Sequence, residues 1–265
     1  MLISYLEMVG MNNPVSKAKW VLETKEVIGI PAESLKTIAE SEGIKYLFND
    51  YPEDDWDGML LWKGTKKAIL VNTRWANSGK HNFTFAHELG HHFLEHQPSY
   101  LQNDQMGFRC TLDNIEKEQR PYETEANKFA VELLMPEDSF KFDMTGAEID
   151  FDLITGLSNL YIVSKHACSN RILALTSKPC IIILTKGQSI TSYTESRAAR
   201  GFIKRMNKIP DDTAAYNAIT YQQRQNGFLT CKASAWLMKV IPSNEIYECT
   251  HIHRESGTAM TILKW

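Results

Sequence analysis

The sequence lacks the features that mark several classes of protein. No segment approaches the roughly 18 consecutive apolar residues that a membrane-spanning helix needs, and there is no internal repeat or low-complexity tract. The five cysteines form no Cys-x-x-Cys pair, unlike a disulfide framework. The amino terminus carries Glu7 and no basic residue before its apolar stretch, unlike a secretory signal. We therefore expect a cytoplasmic protein with reduced thiols and no contact with a membrane.

Charge is unevenly distributed along the 265 residues, a length that predicts one or two domains. Residues 1–177 hold 17 Lys and Arg against 26 Asp and Glu, whereas residues 178–265 hold 12 against 6. The net charge is therefore −9 in the first part and +6 in the second. This difference predicts two units with different surfaces. Neither part is basic enough to indicate a nucleic acid as partner, so direct nucleic-acid binding is not expected.

Hydrophobic periodicity changes along the chain from helical to β-like. Before the histidine-rich segment, the pattern predicts helices at 15–28 and 32–42, a strand at 43–50 and a β-hairpin at 58–72. Two further helices are predicted at 81–98, ended by a proline, and at 121–136, with a proline near each end. A small helical segment follows at 152–175. From 179 onward, short β-rich runs predominate, including 233–241.

The helix predicted at 81–98 carries a metal-binding motif. Residues 87–91 are His-Glu-Leu-Gly-His, an HExxH pattern. Residues four apart on a helix share a face, with Cβ atoms about 5–6 Å apart, so His87 and His91 can reach one zinc ion. Glu88 then lies beside the metal, where a carboxylate can take a proton from water and later deliver it to the leaving amine. The alternative is a buried helix whose histidines only form hydrogen bonds.

A catalytic zinc site needs a third protein ligand. The metzincin pattern is excluded, because Leu94 and Gln97 stand where Gly and His are required. His92 is turned about 100° away from His91, and His96 lies more than a full turn beyond it. For both we expect contact with solvent or with a ligand residue, not with the metal.

Glu123, on the predicted helix at 121–136, is a better candidate for the third ligand. At about 100° per residue, Ala126 and Ala130 cluster within about 60° of Glu123. Glu123 thus shares the apolar face, where an unpaired carboxylate would be costly, and the two alanines would allow close approach to the histidine helix. The opposite face is predicted to be charged and solvated, and it carries Glu125, Lys128 and Glu132.

These motifs together resemble a known family. FTFAHELGHHFLEH followed by ETEANKFAVELLMP is similar to the ImmA/IrrE family of bacterial and phage-encoded zinc metallopeptidases, and VSKHACSNRILAL resembles the helical segment that follows there. The resemblance runs from about residue 15 to 177, and more loosely to the closing IYECTHIHRESGTAMTILKW. It implies a gluzincin-like site in which His87, His91 and Glu123 bind Zn²⁺ and Glu88 is the catalytic base. It also implies a protein substrate, since members act on helix-turn-helix repressors of mobile elements or stress genes.

The sequence thus predicts an α+β protein. We expect a zincin-like, gluzincin-type metallopeptidase domain at 1–150, a small helix-turn-helix-like extension at 151–177, and a β-rich C-terminal domain at 178–265 that senses a signal or docks the substrate. The predicted function is a zinc-dependent endopeptidase acting on a helix-turn-helix repressor. The alternative is a non-catalytic metal-binding module that binds the repressor without cutting it. The intact Glu88 favours the enzyme, because zinc binding alone does not need it.

Weaker signals have simpler explanations. The extension at 151–177 has too few cations for a phosphate-binding helix pair, so packing is favoured over DNA binding. A basic run at 197–208 is either a solvated face or a partner site. Cys249, His251 and His253 alternate on a predicted strand but lack a fourth ligand. The hairpin at 58–72 could offer an edge strand to a substrate backbone, or be ordinary sheet.

Overall fold

A computed structural model describes residues 13–52, 56–74, 76–96, 99–100, 106–110 and 121–265. These residues form two compact units. The first unit comprises the chain up to Asp143 together with Gly156–Ala167, and the second comprises Met144–Thr155 together with Cys168–Trp265. In the described part of the chain, no helix is both long and apolar enough to cross a membrane.

The first unit combines helices with a mixed sheet. Its elements in chain order are α1 (Pro14–Thr24), α2 (Pro31–Ser41), β1 (Ile44–Asn49), β2 (Gly58–Lys63), β3 (Lys66–Asn72), α3 (Ser78–Phe93), β4 (Ser99–Tyr100), β5 (Met106–Cys110), α4 (Pro121–Leu134) and α5 (Glu137–Met144). Two further helices, α6 (Phe151–Leu160) and α7 (Lys165–Leu175), contribute residues to both units. This part of the chain therefore combines helices with a mixed sheet, as the sequence predicts.

The sheet of the first unit has the strand order β1-β3-β2-β5-β4, in which β1 runs parallel to β3 and the other neighbours are antiparallel. The hairpin predicted at 58–72 is β2 and β3. Each of its strands has a neighbour on both sides, so the expectation that this hairpin offers an edge to a substrate is wrong. The edges of this sheet within the described residues are β1 and β4.

Helices α3 and α4 pack very closely. A Cβ atom built on Gly90 would lie 3.1 Å from both Cα and the carbonyl oxygen of Ala126. The rings of Phe93 and Phe129 stack beside this point, with centroids 5.7 Å apart. The predicted close approach at small residues is confirmed at Ala126, and it depends equally on the absence of a side chain at Gly90.

The second unit is built on an antiparallel sheet. Its elements after α7 are β6 (Cys180–Lys186), β7 (Ser189–Glu195), a 3₁₀ turn (Arg197–Ala199), α8 (Ala214–Tyr221), β8 (Leu229–Lys232), α9 (Ala233–Trp236), β9 (Glu245–His253) and β10 (Thr258–Lys264). The strand order is β7-β6-β10-β9-β8. Ile181, Ile183, Ile246 and Leu263 from the sheet form a core with Trp236.

A buried carboxylate connects the elements of this unit. Glu248 on β9 is fully buried and accepts a hydrogen bond from Nε1 of Trp236 at 2.8 Å. It also accepts one from the backbone nitrogen of Ala214, the first residue of α8. Burial raises the pKa of Glu248 above its ordinary value. The strand, the tryptophan and the start of the helix are thus tied to one side chain.

One predicted element of the second unit differs from the observed one. The run at 233–241 is not a strand, because its first four residues form α9 and only Leu237 makes an isolated bridge, with Ile203. The basic run at 197–208, for which no regular element was predicted, contains one helical turn, Arg197–Ala199. Helix α8 was not predicted.

The amino-terminal turn of α3 is fixed by contact with the segment after α6. The side chain of Asn77 accepts a hydrogen bond from the backbone nitrogen of Lys80 and caps the helix. A Cβ atom built on Gly79 would lie 2.3 Å from the carbonyl carbon of Val163 and 2.4 Å from the backbone nitrogen of Ser164. The helix start therefore lies directly against backbone, with no room for a side chain.

We predict that Gly79→Ala lowers the free energy of unfolding by about 1–3 kcal/mol, because the backbone facing Gly79 would have to move. Gly156→Ala in α6 is the control. Its Cβ would meet no atom within 4 Å, so the protein should gain up to about 1 kcal/mol from the better helix former. Urea unfolding measures both variants. Equal stability of the two would contradict the contact.

Candidate metal centre

Helix α3 carries its histidines into the interior. His87, Glu88 and His91 have no exposed surface. The apolar residues Ala86 and Leu89 are buried beside them, which explains why this stretch is helical with a buried face. His87 and His91 lie one turn apart and point to the same side of the helix, as the spacing predicts.

Helix α4 supplies a carboxylate to the same point. Glu123 lies in the first turn of α4 and is 7% exposed. Ala126, Phe129 and Ala130 are buried on the same helix. Glu123 therefore lies on the buried face, where the helical spacing predicts it.

The three side chains bring their donor atoms together. Nε2 of His87 lies 3.0 Å from Oε2 of Glu123 and 3.0 Å from Nε2 of His91, which in turn is 3.5 Å from Oε2 of Glu123. Tetrahedral coordination with bonds of about 2.0–2.1 Å separates ligand atoms by roughly 3.3 Å. Among the described residues, this is the only group of three or more His, Cys, Asp and Glu side chains that could hold a metal ion.

The charges of the group suit a cation. Burial lowers the pKa of His91 to about 3, so its imidazole is neutral and can offer a lone pair. Burial alone would raise the pKa of Glu123, but the close contacts with His87 and His91 outweigh it and hold the pKa below its ordinary value. Two imidazoles and one carboxylate make a donor set that fits a divalent ion such as zinc.

The outer ring nitrogens have partners that orient both lone pairs inward. Nδ1 of His87 lies 2.9 Å from Oδ1 of Asn127, to which it donates, so Nε2 carries the lone pair. Nδ1 of His91 lies 2.9 Å from Nδ1 of His96, whose Nε2 is 3.0 Å from Oε2 of Glu125. The Glu125 carboxylate can only accept, so His96 donates to it and accepts from His91. Both Nε2 atoms therefore present lone pairs to the same point.

Two further histidines, His92 and His96, lie near the donor group but are not part of it. Nε2 of His92 lies 3.1 Å from Oε2 of Glu42, and its Nδ1 lies 2.9 Å from Nζ of Lys67. His96 contacts the ligand candidate His91 from the outer side. As expected, neither histidine joins the three converging donors.

Glu88 lies against the start of β2. A Cβ atom built on Gly58 would lie 2.8 Å from Oε1 of Glu88 and 2.3 Å from Cγ2 of Thr84. Glu88 follows His87 directly on α3, so its carboxylate is held between the helix and the first residue of the strand. Only a glycine at position 58 leaves this arrangement undisturbed.

Two acidic residues of α4 do not behave as the sequence predicts. Glu132 is 1% exposed, so its assignment to a solvated face is wrong. It accepts a hydrogen bond from the backbone nitrogen of Glu137 at 3.1 Å, at the first residue of α5. Glu125 is 46% exposed but bonds to His96, so it is more than a solvated charge. Lys128 is exposed as predicted.

A buried ion-pair cluster near the site was missed by the sequence analysis. Asp57, immediately before β2, is 3% exposed, and its Oδ1 lies 3.2 Å from Nη2 of Arg74 and 3.4 Å from Nζ of Lys80 in α3. It ties the strand that faces Glu88 to the first turn of the histidine helix. The sequence just before the hairpin is rich in acidic residues, but nothing in that pattern marks Asp57 as buried.

Cys249, His251 and His253 do not converge on one point in the described part of the chain. His251 lies beside Phe151, with ring centroids 5.4 Å apart, and Nδ1 of His253 lies 2.9 Å from Oγ of Ser256. Neither histidine joins Cys249 in a donor group among the residues that the structure describes. Their alternation on β9 is ordinary strand structure.

Comparisons with known proteins show what this chain resembles. Residues 39–173 match the model of the M78 peptidases, described as an IrrE N-terminal-like domain. A solved structure described as a Mycobacterium tuberculosis transcriptional regulator resembles the chain with a TM-score of 0.59 at 14% identity, over 98% of this chain and 78% of that one. At that identity, the likeness shows the fold alone. No curated protein matches the chain.

We predict that Gly58→Ala destabilises the protein by about 1–3 kcal/mol, because the added Cβ collides with Thr84 and Glu88. Thr84→Ser removes the methyl group that forms the closest contact. The cost of Gly58→Ala should therefore fall by about 1 kcal/mol in the Thr84→Ser background. A double-mutant cycle of unfolding free energies measures this coupling, and perfect additivity would show that the contact is not real.

Proposed function

The chain belongs to the ImmA/IrrE family, because the M78 peptidase model matches half of it, and from this premise we propose that it is a zinc-dependent endopeptidase. Its substrate in this proposal is a protein, a helix-turn-helix repressor of a mobile element or a stress response. We assign the chemistry to residues 1–150 and keep 151–177 and 178–265 as the proposed helical extension and C-terminal domain.

The observation that carries the proposal is the convergence of His87, His91 and Glu123. Their donor atoms lie 3.0 to 3.5 Å apart in the interior. In this proposal all three bind zinc. Asn127 orients His87, and His96 with Glu125 orients His91, as outer partners of metal-bound histidines commonly do.

Zinc bound there supplies Lewis acidity, which polarises a peptide carbonyl and makes water a stronger acid. Glu88 is not one of the three donors, although it lies next to His87 on the same helix. Its carboxylate accepts a proton at Oε from the attacking water and then donates that proton to the leaving amine. Burial beside Gly58 keeps the carboxylate in one orientation, so little reorganisation accompanies the transfer.

Glu88→Gln separates metal binding from chemistry. The amide cannot take a proton, so the variant should keep one zinc per chain while losing proteolysis. The assay first asks whether a neighbouring gene encodes a helix-turn-helix repressor. It then incubates the zinc-loaded protein with that repressor and detects fragments by mass spectrometry. Cleavage retained by Glu88→Gln would refute the mechanism.

The same assay distinguishes the non-catalytic alternative. If the wild-type protein binds the repressor and displaces it from DNA while leaving it intact, and Glu88→Gln does the same, the protein is a binding module. Loss of zinc in Glu88→Gln would show instead that Glu88 is a ligand.

A second set of variants ranks the carboxylates of α4 by their effect on zinc affinity. Glu123→Ala should nearly abolish binding, because it removes a ligand. Glu125→Gln should weaken it about 10–100-fold, because it removes the acceptor that orients His96 and His91. Lys128→Ala, on the exposed face, is the matched control and should not change it. Competition with a chromogenic chelator measures the three affinities.

Two outcomes would contradict this ranking. Equal affinities for Glu123→Ala and Lys128→Ala would remove Glu123 from the metal site. A loss in Glu125→Gln as large as in Glu123→Ala would point to Glu125 as the ligand. Thermal unfolding of each zinc-free variant shows whether a lower affinity reflects only a lower stability.

A further inference from the structure

One edge of β9 is only half covered by a neighbouring strand. On one side, β10 pairs with Tyr247–His253. On the other side, β8 pairs only with Glu245–Glu248. Within the described part of the chain, residues 249–253 of β9 therefore have no strand on the β8 side. Such an edge can pair with an added chain.

The backbone groups of two residues at this edge are directed away from β10, although Thr250 itself is only 3% exposed and lies against the loop that carries Gln225. The backbone nitrogen of Thr250 donates to Oε1 of Gln225 at 2.5 Å, so Thr250 faces away from β10. The Oγ1 atoms of Thr250 and Thr261 lie 2.9 Å apart, as in a pair that shares no backbone hydrogen bonds. Alternate residues of an antiparallel strand direct their backbone groups to the same side. The N–H and C=O of Ile252 therefore also point to the open edge.

A cleft of about 450 Å³ follows this edge. Its lining combines β9 with a polar loop and two arginines, and consists of Gln222, Arg224, Gln225, Thr250, His251, Ile252 and Arg254. No acidic residue lines it. Nη2 of Arg254 donates to the carbonyl oxygen of Gln222 at 3.1 Å and holds the loop beside the strand. The Gln225 amide occupies the position that a carbonyl of an added strand would take.

The chemistry of the cleft favours a peptide over a nucleic acid. Ile252 presents both a donor and an acceptor, and a peptide strand offers the complementary pair. A phosphate backbone offers only acceptors and would leave the Ile252 carbonyl without a donor. Arg224 and Arg254 add two positive charges in a region, residues 178–265, whose net charge is +6.

We propose that this edge binds an extended acidic segment of the protein substrate, which adds as a strand beside Thr250–His253. The backbone of the segment pairs with Thr250 and Ile252, displacing the Gln225 side chain, while its carboxylates face Arg224 and Arg254. The identity of the partner rests on the proposed function, but the binding itself needs no metal.

Fluorescence anisotropy with the full-length protein tests the proposal. The probe is a labelled peptide of alternating Glu and Val, and it should bind saturably. A Lys and Val peptide, and an N-methylated Glu and Val peptide that cannot pair as a strand, should each bind at least about tenfold more weakly. Added salt should weaken the first complex by screening. Absence of saturable binding, or equal binding of the N-methylated peptide, would overturn strand addition.

Paired arginine variants locate the site. Arg224→Gln should weaken binding of the acidic peptide about tenfold. Arg224 is exposed, so its replacement should leave the fold intact. Arg197→Gln, an exposed arginine elsewhere in the unit, should not change binding. If both variants weakened peptide binding equally, binding would depend only on general charge attraction, and the proposed site would be wrong.

Repressor cleavage by the same variants separates this proposal from the peptidase. If Arg224→Gln cleaves as efficiently as wild type, the docking edge is refuted and the peptidase stands. If the wild type binds the acidic peptide at this edge but never cleaves a repressor, the edge stands and the peptidase is refuted.

Discussion

The requirement that buried polar groups be paired governs the first unit. Three polar side chains of α3 lie in the interior without exposed surface, and each would be costly there without a partner. Pairing them brings α4 close enough for Glu123 to reach both histidines, and it extends outward through Asn127 and His96. The site is therefore a continuous hydrogen-bonded network whose geometry depends on how closely two helices approach.

Helical periodicity predicted which residues supply the donor atoms, but it did not predict which residues are buried on the opposite side of α4. Glu123 could be predicted because HExxH defines a buried face and the spacing of α4 places one carboxylate toward it. Glu132 could not, because a single helix does not reveal which other elements cover it. Helix α1 packs against α4, and Nζ of Lys19 lies 4.0 Å from Glu132. A helix with neighbours on two sides has two buried faces, and sequence spacing alone assumes one.

The second unit shows the same limit for strands. The long strands β6, β9 and β10 were predicted because their alternation and β-branched residues are strong. Ala233–Trp236 was predicted as strand on local pattern, yet it is helical. The Trp236 side chain reaches Glu248 from there, an interaction between distant parts of the sequence. The short α8 has only eight residues and no charged residue that would mark an exposed face. The open edge of β9 arises from unequal strand lengths, which become visible only when the strands are paired.

The absence of side chains at Gly58, Gly79 and Gly90 also bears on how distant relatives can be recognised. Five-residue HExxH matches arise by chance. The motif alone does not show whether other elements pack closely against the helix that carries it. Here a Cβ at the fourth position, Gly90, would press on the backbone of α4 at 3.1 Å. The facing strand at Gly58 and the helix start at Gly79 leave still less room, with contacts of 2.3 Å. A relative with larger residues at these three places could keep both histidines yet could not keep this spacing of elements. Size restrictions at 58, 79 and 90 thus turn a short motif into a longer three-dimensional signature.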